Sequence, residues 1–115
     1  LTSLGKPQEA LTALQPLMEQ SQPEKPGGVA LNLAAGGACL AMAKVSTEKA
    51  DIDKQAFKGL MLFLKGVVFG EAFAEDHAAA LLGAEQCFTL LGDAGHAQQM
   101  REERKRFYGD AFVAP

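Results

Sequence analysis

The stretch EDHAAALLGAEQCFTLLGDAGHAQQMREERKRFY, residues 75–108, holds the clearest fold signal in the chain. Leu81, Ala84, Phe88 and Leu91 recur at three- and four-residue spacing, which places them on one stripe of a helix. Gly92-Asp93 stops that helix, since glycine adopts the left-handed backbone that helix ends favour. Ala97, Met100, Arg104 and Phe107 then open a second stripe, and the other side of this helix is heavily charged. The spacing predicts two helices, about Glu75 to Leu91 and about Gly95 to Tyr108, joined by a short turn into an antiparallel hairpin.

Working outward, the same period recurs and strand signals are almost absent. A helix is expected from about Ile52 to Phe69, with Phe57, Leu60, Leu64, Val67 and Val68 apolar and Gly66 and Gly70 weakening its end. Val45 to Asp51 is a polar connection. A further helix, about Val29 to Lys44, is built almost wholly of small and apolar residues. Gly36 and Gly37 each cost about 1 kcal/mol relative to alanine in a helix interior, so close approach of a neighbouring backbone is expected there, with a helix break as the alternative. This helix is expected to be central and buried. The first helix is expected from about Pro7 to Gln20, with Ala10, Leu14, Leu17 and Met18 apolar and Pro16 kinking or shortening its last turn. Ser21 to Gly28 reads as a loop, and the last six residues as a tail in which Phe112 is a candidate to dock.

The expected fold is therefore all-α: one domain of 115 residues, with about five helices in antiparallel hairpins. At 48% hydrophobic residues, including seven Phe, a self-sustaining core is available. The net charge of −3 is too small and of the wrong sign for a dedicated nucleic-acid binder. The N-terminus is polar and carries Pro7, unlike a signal peptide, and the apolar stretch Gly59–Gly70 falls short of the roughly 20 residues that span a bilayer. A cytoplasmic location is expected and membrane insertion is not. Beginning at Leu1 rather than Met, the sequence is expected to be a fragment or a part of a longer helical-repeat protein.

Leu4-Gly5, four residues, Ala10 is echoed by Leu91-Gly92, four residues, Ala97. The pattern resembles the tetratricopeptide repeat, a helix-turn-helix unit of about 34 residues. Phe88 looks like the aromatic of its first helix, Leu91-Gly92-Asp93 like its turn, and Ala97 like the small residue of its second helix. Leu4-Gly5 with Ala10-Leu11 looks like the second half of an earlier repeat. The resemblance implies a right-handed superhelix, as against a plain helical bundle. It also implies protein binding on a concave surface made by the first helices of successive repeats. Members that grip a carboxylate-ended peptide use Lys, Asn and Arg on those helices. Here the second helix offers Asn32 and Lys44 and the fourth offers no Lys or Arg, so that subtype is not expected.

Catalytic patterns are missing. His77 and His96 lack an HxxxH or HExxH spacing and read as solvated or capping residues. The three serines, Ser3, Ser21 and Ser46, fall in expected loops. Cys39 and Cys87 lack metal spacing and are expected to be reduced and buried, and burial would raise the Cys87 pKa rather than activate it. No metal or cofactor is expected. The basic cluster Arg101, Arg104, Lys105, Arg106 reads as a solvated face or a docking patch for an acidic partner, with Glu102 paired to Arg106. Lys54, Lys58 and Lys65 beside Phe57, Met61, Leu64 and Val68 suit an anionic membrane, or, as favoured, a core helix whose lysines snorkel to water. The function expected is a non-catalytic adaptor or scaffold that binds a peptide or helix of another protein. Asn32, Phe57, Met61, Phe73, Arg101 and Arg104 are its candidate contacts. The alternative is a small-ligand or regulatory bundle whose pocket is lined by the glycine-bearing second helix.

Overall fold

The computed structural model describes residues 2–20, 26–70 and 73–109, and five helices with no strand make up nearly all of them. They are α1 (Thr2–Gln20), α2 (Pro26–Val45), α3 (Lys49–Phe69), α4 (Ala74–Leu90) and α5 (Ala94–Tyr108). The all-α expectation holds. Residues 21–25, in the expected loop, and the tail with Phe112 lie outside the described residues, as does the side chain of Met18.

Each helix packs on the next, and α2 also packs on α4. Among the described residues α1 therefore approaches α2 alone, while α2 touches α1, α3 and α4, and α4 touches α2, α3 and α5. α2 buries a run of small residues, Ala35, Ala38, Cys39 and Ala43, together with the larger Val29, Leu40 and Met42. Over Gly28–Val45 it is long and apolar enough to cross a membrane by length and composition, a longer run than Gly59–Gly70. More than half of that window is covered by the neighbouring helices, the pattern of a core helix.

The core centres on Phe63 of α3. A Cβ built on Gly36 of α2 would lie 3.1 Å from the Phe63 ring, and one on Gly83 of α4 would overlap it. The ring thus fills the space that two glycines leave, and this lets α2 and α4 meet across α3. Leu40, Leu60, Ala84 and Cys87 close around it. The close approach expected at Gly36 is present. Gly37 faces open space, and the helix runs through both without a break.

The α4–α5 turn follows the backbone logic of its sequence. Asp93 N–H donates to Phe88 C=O at 2.8 Å and Gly92 N–H to Thr89 C=O at 3.1 Å, with Gly92 at φ 81°. This double closure is the Schellman motif, whose left-handed position favours glycine. Asp93 then caps α5 by accepting from the His96 N–H at 3.1 Å. Glu75 and Asp76 sit in the first turn of α4, where carboxylates complement the helix dipole.

Several boundaries differ from expectation: α2 starts at Pro26, inside the expected loop, and α3 at Lys49, inside the expected polar connection. Leu4-Gly5 does not precede α1 as a turn, because the helix begins at Thr2 and runs through both residues. Pro16 does not end α1 either, since the helix continues to Gln20. Pro16 and Thr12 both face solvent, so water can satisfy the carbonyl that lacks its N–H partner.

Candidate functional site

Because α1 does not reach α3, an apolar cleft of about 310 Å³ opens between them. Leu11 and Gln15 of α1 form one wall, Phe57, Lys58, Met61 and Leu62 of α3 form the other, and Cys39 of α2 lies at the floor. Leu11 and Cys39 belong to a small core with Ala35, Ala38 and Met42, so the floor is firmly packed. Its rim is not covered. Phe57 is 54% exposed and Met61 41%, and the strip continues along α3 to Val68 at 66% and Phe69 at 41%.

Helical geometry explains the exposure. At 100° per residue, Phe57, Met61 and Val68 share an arc with Lys54, Lys58 and Lys65. Ala56, Gly59, Leu60, Phe63 and Gly66 occupy the opposite, buried side. α3 is thus apolar on two faces, and only one is used by the core. Of the four residues read as core beside snorkelling lysines, Leu64 packs against the Phe63 cluster, but Phe57, Met61 and Val68 stand in solvent beside the lysines.

The other candidate contacts divide. Asn32 is buried in α2, so no partner can reach it in this arrangement. Phe73 is half-buried, occupies the N-cap position of α4 and is not among the described residues that line the cleft. Arg101 is exposed, but its Nε donates to Glu85 Oε2 of α4 at 2.9 Å. Arg104 is only 8% exposed and lies 3.5 Å from the other Glu85 oxygen, with its Nε unpartnered among the described residues. Of the basic cluster, Arg101, Lys105 and Arg106 are exposed as a solvated face requires, while Arg104 is buried and both Arg101 and Arg104 are tied to α4 by one carboxylate. Arg106 pairs with Glu103 at 3.7 Å, not with Glu102, and its guanidinium lies over the Phe107 ring.

His77 is also corrected. It is buried, with Nδ1 2.6 Å from the Tyr108 hydroxyl and its ring edge-on to Phe107, so it pins the end of α5 to the start of α4. His96 keeps its local role, with Nδ1 2.6 Å from Asp93 Oδ2. That contact and the backbone N–H bond hold the Asp93 carboxyl below its ordinary range, the backbone bond most strongly.

Cys39 and Cys87 are free and buried. Burial pushes the Cys87 thiol up to about 12, with the nearby Cys39 adding to it and Lys44 opposing, so it keeps its proton at neutral pH. Burial raises Cys39 as well. Among the described residues no cluster of three metal-ligating side chains occurs. A depression of about 530 Å³ along α5 is lined by Gln99, Met100, Glu102, Glu103 and Arg106. All five of these described residues come from one helix and four are polar.

Sequence reasoning found Phe57 and Met61 but missed Leu11, Gln15 and Leu62. Nothing in the local period of α1 announces which face of α3 it will stand beside. Comparison with protein-family models, curated proteins and solved structures finds no match to this chain.

Proposed function

We propose that the chain is a non-catalytic interaction module that receives a segment of another protein in the α1–α3 cleft. The observation that carries this reading is the pairing of an open, firmly floored apolar cleft with Phe57 and Met61 standing exposed on its rim. Exposed apolar surface next to a groove is the usual mark of a protein contact. The small-ligand alternative draws less support, because the space beside Gly36 is filled by Phe63 and Gly37 faces solvent.

A tetratricopeptide-like arrangement is also part of the reading. α2–α3 and α4–α5 act as two hairpins, with first helix against first helix through the α2–α4 contact, and α1 takes the place of a preceding second helix. Two departures belong with it. The hairpins start at Pro26 and Ala74, a longer interval than the usual repeat, and the cleft lies between α1 and α3, not on the first helices.

A photoreactive amino acid placed at Met61, with a control at Gln98, tests the proposal. Crosslinks to one defined segment of one host protein, present at Met61, absent at Gln98 and lost in Phe57→Ala, are the expected result. Equal, scattered labelling at both positions would contradict it.

A further inference from the structure

We infer that the partner segment is an acidic amphipathic helix laid along α3; this deepens the preceding proposal and rests on it. Three lysines, Lys54, Lys58 and Lys65, share the exposed arc of α3 with Phe57, Met61 and Val68. Among the described residues none of the three makes an ion pair, whereas Lys49 is paired with Asp53 at 3.1 Å, and Arg101, Arg104 and Arg106 are each matched by a glutamate. Lys44 and Lys105 are likewise without an ion pair among the described residues, but each is the one open cation described on its helix, whereas α3 gathers three beside the cleft. Charge complementarity asks the occupant for carboxylates flanking an apolar stripe.

The backbone selects the form of the segment. The described residues offer no sheet edge to which an extended peptide could add, so recognition rests on side chains along a groove between helices. Lys54 and Lys65 are about 16 Å apart along the axis at 1.5 Å per residue, the length of three turns of a partner helix. Leu or Phe side chains on that helix would enter the space between Leu11, Phe57, Met61 and Leu62, while Glu or Asp one turn apart would meet Lys54 and Lys58. A membrane surface would use the same lysines, but it cannot fill a concave cleft with a single side chain.

The test is selection of a displayed library of helical peptides against the full chain. Leu is fixed along one stripe, and Glu, Gln or Lys is allowed beside it. The expected result is enrichment of Glu over Gln by about tenfold, the combined effect of three surface pairs. Enrichment should vanish with F57A/M61A, weaken with K54Q/K58Q/K65Q, and switch to Lys-bearing peptides with K54E/K58E/K65E, all three variants keeping the wild-type circular dichroism.

Enrichment without a charge preference, or one unmoved by charge reversal, would overturn the acidic partner and leave the cleft reading standing. Failure to enrich any peptide would overturn both. Sedimentation with phosphatidylserine vesicles in place of peptide capture would assign the face to a membrane and overturn the inference. So would a dimer in light scattering that Phe57→Ala dissolves, which would make the occupant a second copy.

Discussion

The α2–α4 gap and the α1–α3 gap both lie between helices that are not consecutive, yet one is sealed and the other open. In the first, Gly36 and Gly83 remove their side chains and Phe63 fills the shared space, so the backbones come together. In the second, Leu11 and Gln15 face Phe57, Met61 and Leu62 with no glycine on either wall, and the side chains hold the backbones apart. Similar apolar content gives a core in one place and a cleft in the other. The difference lies in where the small residues stand, and it leaves six-residue neighbours on one helix, Phe57 and Phe63, with opposite roles.

The largest effect should come from breaking the sealed gap. Phe63→Ala empties the site between two glycines that cannot fill it and should cost about 3–5 kcal/mol, read as a lower denaturant midpoint. Gly83→Ala attacks the same gap by overpacking, at about 1–3 kcal/mol, and Gly36→Ala should cost less because the ring needs to move only a few tenths of an ångström. The matching change in the open gap behaves otherwise. Phe57→Ala should alter stability by no more than about 0.5 kcal/mol in either direction while abolishing segment capture.

Smaller effects probe the hinge of the sealed half and its buried thiol. Gly92→Ala places a side chain at φ 81° and should cost about 1 kcal/mol in thermal unfolding. Cys87 has a folded pKa raised above its ordinary 9.0, so its contribution is complete below pH 9 and declines as pH rises toward 12, where the unfolded thiol ionises first. A disulfide reagent at neutral pH should accordingly label Cys87 only as fast as the protein opens. Asp93 runs the other way. Its folded pKa is depressed, so its stabilisation is present above the ordinary carboxylate range and fades as pH falls through the folded value. The thermal midpoints of wild type and Asp93→Asn should converge in acid.

The helical class and four of the five helices were legible because period, caps and glycines are local signals. The Gly92 turn is the clearest case. α1 misled because Leu4-Gly5 repeats that turn's letters without its surroundings, and a local echo cannot say whether the chain reverses. Phe57 and Met61 could be suspected as apolar residues next to lysines, yet the period alone placed them in the core, since it cannot reveal that α3 has more apolar surface than its neighbours cover. The Glu85 link to Arg101 and Arg104 and the His77–Tyr108 bond were invisible for a related reason: they join residues 16 to 31 positions apart, and pairing at that range depends on how helices dock.

Two methionines report on the open gap directly, one from its floor and one from its rim. Met42 is packed in the floor at 4% exposure and Met61 stands on the rim at 41%. With methyl-labelled methionine and a neutral soluble nitroxide, NMR relaxation should broaden the Met61 methyl strongly and leave the Met42 methyl sharp. Equal protection of both methyls would mean that α1 closes over α3 in solution, and the open cleft would be wrong.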